Sequence, residues 1–234
     1  MPRPPSSRPP AAAPVRRRTQ AERREEAEQK LLEAALQIVA RRGSVRMTLA
    51  EVGEAAGYSR GLPAQRFGSK AGLLRALASS IGTRFVTKLM QAPAQPGLNA
   101  VRAHVRVYFN RRDDDWATTR ALLVMMTEGL MEAPELGEII AGYNRARADA
   151  FERDLRHAIE LGEVDPGADP KATAVLLLGM LRGVMMQWLL DPAIRLDAVR
   201  DEMLAMIDAL STPRAAPRRS SGRRVRRPAG AAPS

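Results

Sequence analysis

Apolar side chains recur at helical spacing along almost the whole stretch between residues 21 and 210. The clearest example is the set Leu31, Leu32, Ala35, Leu36 and Val39, which follows the i, i+3, i+4, i+7 pattern of one helix face. No segment shows the strict alternation that is typical of a half-buried strand. We therefore predict an all-α fold of about nine helices.

Capping residues and breakers divide this stretch. The sequence predicts a first helix of about 20 residues from Glu22, which stops at Gly43. Thr48 and Glu51 fit a capping box for a second helix, and Ser59 and Ser69 fit N-caps for a third and a fourth. The nine predicted helices cover approximately residues 22–42, 48–55, 59–66, 70–91, 98–112, 116–131, 134–161, 170–190 and 196–210.

The net charge of +11 comes from the two ends of the chain. Residues 1–20 hold five arginines and residues 211–234 hold seven, with no acidic residue in either, which leaves 25 basic and 26 acidic residues in 21–210. Both ends are also rich in proline and lack periodic apolar residues, so we predict disordered arms. The N-terminal arm has no continuous apolar core of a secretory signal, and a cytoplasmic location is expected.

Several classes of chemistry are excluded by residue content. Without cysteine and with only two histidines, the chain has no disulfide framework, no thiolate zinc site and no histidine-rich metal site. The acidic run 113–115 lacks the spaced oxygens of a calcium loop and is interpreted as a capping turn. His104, between Arg102 and Arg106, is predicted to face solvent, and His157 to lie on a helix surface. We expect no cofactor, no metal, no catalytic residues and no enzymatic activity.

The most apolar window, 174–190, is too short for a typical membrane span and carries Arg182 near its middle. It is predicted to be a buried helix of a soluble protein, and no membrane partner is expected.

Two short helices with a glycine-containing turn between them form the frame of a helix-turn-helix. Here the helix at 48–55 would be the supporting helix, and the helix at 59–66 would enter the major groove of DNA. Small residues at Ala55 and Gly57 would allow a close crossing. The same spacing also occurs in an ordinary corner between two helices. The residues expected to fix the angle between the two helices are Leu49, Val52, Ala56, Leu62 and Phe67.

The wider segment 30–74 is more specific, because it contains IVARRG, MTLAEVGEAAGYSRG and RFGSKAGLL in that order. It resembles the DNA-binding domain of the TetR family of transcriptional repressors. The resemblance implies a three-helix DNA-binding domain at 21–82 and a helical ligand-binding and dimerisation domain at 83–210. The family usually has a Gly-Thr-Leu-Tyr-like run here, whereas this chain reads Gly61-Leu62-Pro63-Ala64. Ala64 cannot make the phosphate contact of the aromatic residue, and Pro63 is expected to tighten or shift the start of the recognition helix.

Within this module, side chains at helix starts and basic groups are candidates for phosphate contacts, and Arg and Gln are candidates for base contacts. The alternative for each residue is a solvated helix surface. The phosphate candidates are Thr48, Ser59, Arg66 and Lys70, and the base-reading candidates are Arg60 and Gln65, with Leu62 as a further candidate.

The second half of the chain carries wide apolar stripes, and the resemblance implies that its last two helices pair with those of a second subunit. The predicted dimer interface contains Val175, Leu178, Gly179, Gly183, Trp188, Val199, Met203 and Met206. The resemblance also implies a pocket for a small-molecule effector, although methionines and aromatics at helical spacing are often plain core. Its candidate lining residues are Tyr108, Trp116, Met125, Met126, Tyr143, Phe151 and Met180.

The sequence thus predicts a homodimeric repressor that binds a palindromic double-stranded DNA operator and is released by a small, mostly apolar effector. A non-specific or architectural DNA-binding protein driven by the arginine-rich arms is the alternative.

Overall fold

The computed structural model describes residues 19–92, 95–110, 116–131 and 133–211, and these residues contain helices and turns without strands. The predicted arms therefore lie almost wholly outside the described residues, as does the acidic run 113–115. The described ranges contain nine α-helices, which confirms the predicted fold class. The helices are α1 Gln20–Arg42, α2 Leu49–Ala55, α3 Leu62–Phe67, α4 Lys70–Gln91, α5 Leu98–Phe109, α6 Ala117–Met131, α7 Pro134–Glu160, α8 Pro170–Leu190 and α9 Leu196–Asp208.

Helix starts are fixed by side-chain caps where the sequence offers them. Thr48 accepts from the backbone N–H of Glu51, and the Glu51 carboxylate accepts from the backbone N–H of Thr48, which confirms the predicted capping box of α2. Ser69 caps α4 by accepting from the Gly72 N–H at 3.0 Å. Each cap satisfies a donor that the helix cannot pair internally, so the starts of α2 and α4 are set locally.

The start of α3 differs from the prediction. The helix begins at Leu62, with Gly61 as its N-cap and no capping side chain, so the predicted cap by Ser59 is wrong and the shift of the helix start expected from Pro63 is confirmed. Pro63 is the reason, because it lacks an N–H and fits only the first turn of a helix. Starting at Leu62 places Pro63 in that first turn, and Ser59 contributes only its carbonyl, which accepts from the Leu62 N–H at 3.1 Å.

The apolar faces form two clusters. The first joins α1, α2, α4, α6 and α7, and its fully buried side chains include Leu31, Val52, Leu77 and Leu122. The second joins α5, α7, α8 and α9 around Leu155, Leu181 and Ile207. The helix α4 contributes to both clusters, with Leu73 to Ile81 in the first and Phe85 in the second. The helix α4 therefore runs from the helix-turn-helix to the second cluster, and α6 and α7 also contribute side chains to both clusters.

One helix in the described ranges, α8, is long and apolar enough by length and composition to cross a membrane. One such helix is weak evidence for a span. A third of its most apolar window is buried in the chain, and Arg182 lies among the buried residues. A buried charge in the middle of the helix fits a packed helix better than one surrounded by lipid.

Candidate DNA-binding surface and buried cavity

The crossing of α2 and α3 depends on Gly53. A Cβ atom built at Gly53 would lie 2.5 Å from the backbone oxygen of Ser59 and 3.2 Å from the Pro63 ring. Only a residue without a side chain allows this approach. Sequence reasoning gave this role to Ala55 and Gly57, which is wrong: Ala55 is exposed, and Gly57 has open space around it. Gly57 is needed instead for its backbone, which has a φ of 77°.

The core under these helices is the one predicted. Val52 is fully buried, and Leu49, Ala56, Leu62 and Phe67 pack around it. Leu62 is therefore a packing residue, and its place in the core argues against its candidate role in base contact. The outward side of α3 and the preceding turn exposes Ser59, Arg60, Ala64 and Gln65.

The candidate DNA contacts differ in how free their polar groups are. The side chain of Gln65 is exposed, and Arg60 pairs its Nε with the carboxylate of Glu54 at 3.0 Å while remaining 72% exposed. Arg66 donates from its guanidinium to the backbone oxygen of Arg24 in α1 at 3.4 Å. Exposed pairs of this kind are weak and exchange readily for a phosphate or a base edge.

Thr48 and Glu51 form a closed local pair at the start of α2. The Thr48 hydroxyl donates to the Glu51 carboxylate at 3.1 Å and accepts from the Glu51 N–H at 3.2 Å. Hydrogen bonds from the Thr48 backbone and hydroxyl, helped by Arg42, hold the pKa of Glu51 below its ordinary value of 4.5. Thr48 therefore already uses its hydroxyl as a cap, and a phosphate would have to share it.

Lys70 begins α4 and reaches across to the loop after α1. Its Nζ donates to the backbone oxygen of Val45 at 2.6 Å. An ammonium group has three donors, so two remain for other acceptors. Lys70 thus ties the start of α4 to the α1–α2 loop.

The same loop is held from its other side by Glu128 of α6. The Glu128 carboxylate accepts from the Ser44 N–H at 2.8 Å, from the Ser44 hydroxyl and from the Val45 N–H at 3.4 Å. Gly43 makes room for this carboxylate and has a φ of 84°, which favours glycine. The Glu128 carboxylate of α6 therefore accepts three hydrogen bonds from the loop between α1 and α2, which leads into the helix-turn-helix.

Further along the chain, α4, α5, α7 and α8 enclose a cavity with about 10 Å³ of free space, enough for one water molecule. Its walls are mostly aromatic and aliphatic, and two guanidinium groups and an imidazole supply the polar part. The lining residues are Phe85, His104, Tyr108, Tyr143, Arg147, Phe151, Leu178, Leu181 and Arg182.

Arg182 is the most deeply buried charge of this cavity, with 7% of its surface exposed. It donates to the Tyr108 hydroxyl at 3.4 Å and lies over the rings of Tyr108 and Tyr143, at 5.7 and 5.4 Å from their centres. Burial works to lower the pKa of Arg182, but the two tyrosines outweigh it and the net direction is upward. The group therefore keeps its positive charge.

Arg147 enters the cavity from α7. Its guanidinium lies 5.8 Å from the Phe85 ring centre and 5.9 Å from that of Tyr143. The Nε atoms of Arg147 and Arg182 are both buried without a hydrogen-bond partner among the described residues.

His104 lies inside the protein rather than in solvent, so the prediction for it is wrong. It is 4% exposed, and its Nε2 lies 3.1 Å from Asp154 Oδ2. Its ring also packs on Phe151, with 4.6 Å between ring centres. The neighbouring Arg102 and Arg106 point elsewhere because α5 is amphipathic, and Arg102 pairs with Asp208 of α9 at 2.7 Å. His157 is on the surface as predicted, 3.1 Å from Glu160.

Sequence profiles of known families match both halves of the chain. Residues 31–77 match the family described as bacterial regulatory proteins, tetR family, and residues 98–212 match the C-terminal domain of the BetI-type transcriptional repressors. The chain belongs to the TetR family of transcriptional regulators. Its members are DNA-binding regulators and not enzymes.

Solved structures of TetR-family regulators share this fold. A TetR-family regulator from Rhodococcus sp. is 22% identical with a TM-score of 0.74, covering 80% of this chain and 100% of the other. SmeT, the repressor of the Stenotrophomonas maltophilia multidrug efflux pump SmeDEF, is 24% identical with a TM-score of 0.63, covering 79% and 91%. The structure of a complex of SmeT with triclosan is 26% identical with a TM-score of 0.65, covering 78% of this chain and 90% of the other. No curated protein matches the chain.

The cavity of this TetR-family regulator contains three of the seven predicted effector-pocket residues, Tyr108, Tyr143 and Phe151. Met125 is fully buried in the first cluster, and Trp116 packs on Trp188 with 5.2 Å between ring centres. Met126 and Met180 are half-buried against the clusters and do not line the cavity. Periodicity identifies buried residues, but it cannot say which of them border an empty space.

Sequence reasoning missed Phe85, His104, Arg147 and Arg182 as cavity residues, and Glu128 as a link to the helix-turn-helix. One signal was available for Arg182, because a single charge in an apolar helix requires a partner or a ligand. The other residues occupy ordinary helix positions, and only the packing of distant helices gives them a role.

The predicted dimer residues of this TetR-family chain fall into two groups. Val175, Gly179 and Met206 are exposed, and Gly183 and Val199 are half-buried. Leu178 lines the cavity and Met203 is 4% exposed within the chain, because each lies on the inward side of its helix. Met203 is therefore covered within the chain, Leu178 is half-buried, and the half-buried Trp188 already packs on Trp116.

Proposed function

We propose that this TetR-family regulator is a homodimeric, cytoplasmic repressor that binds a palindromic operator and releases it when a small effector enters the cavity. The observation that carries the proposal is the continuity of α4, which begins at the DNA-binding surface with Lys70, reaches the cavity at Phe85 and continues to Gln91. Fifteen residues of helix separate them, or about 22 Å at 1.5 Å per residue. A rigid helix of this length can transmit a change at the cavity to α3.

The operator-binding surface is proposed to consist of Thr48, Ser59, Arg60, Gln65, Arg66 and Lys70. Arg60 and Gln65 would read bases from the exposed side of α3, since both project into solvent. Lys70 would contact phosphate with the donors that Val45 leaves free. Because the chain has Ala64 where the family usually has an aromatic residue, more of the phosphate binding falls on Lys70 and Arg66.

Dimerisation is supported by an exposed apolar stripe on α8. Val175, Gly179, Gly183, Met186 and Leu190 are spaced by four, four, three and four residues, which places them on one face. Val175, Met186 and Leu190 are 58%, 46% and 82% exposed. A Cβ atom added to either glycine would contact nothing, so a second helix could approach closely. Pairing α8 and α9 with their copies would bury this stripe and place two α3 helices on a palindrome.

The domain division is proposed to follow these roles, with DNA binding at 21–82 and effector binding and dimerisation at 83–210. The arms 1–20 and 211–234 are proposed to add salt-dependent, non-specific DNA affinity through their arginines.

The test is selection of genomic DNA fragments by the purified full chain at physiological salt, with Lys70→Ala beside Lys88→Ala. Lys88 lies exposed at the far end of the same helix, so its substitution removes the same charge without touching the proposed surface. We expect a few palindromic fragments, bound about tenfold more weakly by Lys70→Ala and unchanged by Lys88→Ala. A symmetric footprint should survive deletion of 1–18 and 212–234. Uniform coating that is lost with the arms would instead favour the architectural protein.

A further inference from the structure

The cavity carries two positive charges and no carboxylate. Its lining includes Arg147 and Arg182 but neither Asp nor Glu, and neither arginine pairs with an acid among the described residues. Asp154 lies beside the cavity, where its Oδ2 is 3.1 Å from Nε2 of His104.

A buried guanidinium normally has a carboxylate or several hydrogen-bond acceptors around it, because desolvation penalises an uncompensated charge. The partners of Arg182 are the Tyr108 hydroxyl at 3.4 Å, the Tyr143 hydroxyl and two aromatic faces, none of which carries the negative charge of a carboxylate. Arg147 also lies against the Tyr143 ring, so the positive charges of Arg147 and Arg182 both contact the same aromatic side chain. The unpartnered Nε atoms show that donors remain available.

We propose that the effector is a small organic carboxylate with an apolar body, an inference that rests on the proposed effector-released function. Its carboxylate accepts hydrogen bonds from Arg182 and Arg147, since the planar guanidinium fork fits two carboxylate oxygens. The apolar body lies among Phe85, Phe151 and Leu178, which form the uncharged wall.

The route into the cavity is a groove of about 720 Å³ between α4 and α7. Tyr143 and Arg147 line both the groove and the cavity and therefore stand at the boundary between them. The closed cavity has room for one water only, so a carboxylate enters when these two side chains turn aside. Gly82 of α4 faces the Tyr143 ring, and a Cβ atom added there would lie 3.5 Å from the ring, in van der Waals contact.

The first experiment uses pairs of ligands that differ only in charge, with the full chain. Phenylacetate and octanoate are compared with phenylacetamide and octanamide by calorimetry and by the shift of Tm. We expect the carboxylates to bind at least tenfold more tightly than their amides, because an amide oxygen accepts a hydrogen bond but carries no charge to compensate the two cations. Inorganic phosphate, an anion without an apolar body, should bind more weakly than either carboxylate. Equal binding of the amides, tighter binding of phosphate, or no carboxylate binding at millimolar concentration would overturn the proposal.

Variants then locate the site. Arg182→Gln and Arg147→Gln should each raise the Kd of the carboxylate by about 10- to 100-fold, the value of a charge-assisted hydrogen bond. Arg145→Gln is the matched control, because Arg145 is exposed on the same helix as Arg147 and lies outside the cavity. If Arg182→Gln does not fold, Arg147→Gln and the ligand pairs decide the question. An unchanged Kd in Arg147→Gln would overturn the assignment.

Operator release is measured separately. If a carboxylate binds at these arginines and the operator is not released, the anion site stands and the effector function fails. If a neutral compound binds in the cavity and releases the operator while no carboxylate binds, the effector function stands and the anion site is wrong.

Discussion

Glu128 in α6 accepts a hydrogen bond from the backbone N–H of Ser44 at 2.8 Å, although 84 residues separate them in the sequence. The Val45 oxygen next to this contact accepts from Lys70 at 2.6 Å. The α1–α2 loop, residues 43–48, is thus held at Ser44 and Val45 between a carboxylate of α6 and the first residue of α4. This is a further connection, besides α4 itself, between the helix-turn-helix and the C-terminal helices, because α6 packs against α7, which lines the cavity.

We expect Glu128→Ala to loosen the helix-turn-helix without unfolding the rest of the chain. The substitution leaves the N–H and hydroxyl of Ser44, which is 1% exposed, without their acceptor, at a cost of about 1–3 kcal/mol. Amide hydrogen exchange should therefore become faster over residues 44–67 and stay unchanged in α7 and α8.

Glu135→Ala is the control for that measurement, because Glu135 is an exposed acid in the first turn of α7. Exchange that rises equally in all helices, or a control that behaves like Glu128→Ala, would show that the contact has no specific coupling role.

Sequence periodicity was sufficient for the helices and for most boundaries, because helix caps and apolar spacing are local properties. Thr48, Ser69 and Pro134 set their helix starts through neighbours within four residues. The predicted Ser59 cap of α3 was wrong because Pro63 must lie in the first turn, and the sequence did indicate through Pro63 that the helix start would shift. The cavity and the Glu128 contact depend on helices far apart in the chain, and no local pattern contains that information.

Gly53→Ala is expected to destabilise the chain by about 1–3 kcal/mol and to weaken operator binding. The new methyl group would lie 2.5 Å from the backbone oxygen of Ser59, so α3 must move away from α2. Thermal unfolding and operator Kd are the measurements.

The matched control is Gly61→Ala, since Gly61 has a negative φ of −85° and open space around its Cβ position. A Gly53→Ala protein as stable as wild type would mean that the helix-turn-helix adapts more freely than the close approach indicates.

The stability of α2 is expected to depend on pH through Glu51. Hydrogen bonds from Thr48 lower the pKa of Glu51 below 4.5, so the ionised carboxylate stabilises the folded state. The contribution is present above pH 4.5 and is lost as the pH falls through the lowered value. We expect wild type to be more stable than Glu51→Gln at neutral pH, and the difference to vanish in acid, because glutamine caps without a charge.

Free energies of unfolding measured between neutral pH and about pH 3 test this dependence. Glu54→Gln serves as a comparison, because Glu54 lies on the same short helix and takes no part in the cap. A difference between wild type and Glu51→Gln that stays constant with pH would contradict the role of the ionised cap.

Val175→Glu is expected to shift the chain from dimer to monomer. Val175 lies at the start of the exposed stripe on α8, and in a two-fold interface the substitution introduces two buried carboxylates. Leu130→Glu is the control, because Leu130 is 86% exposed on α6 and outside the stripe. Sedimentation equilibrium should give a dissociation constant raised at least tenfold for Val175→Glu and unchanged for Leu130→Glu. Because one subunit reaches only half of a palindrome, the operator affinity of Val175→Glu should fall as the dimer dissociates. A Val175→Glu protein that stays dimeric would place the interface elsewhere.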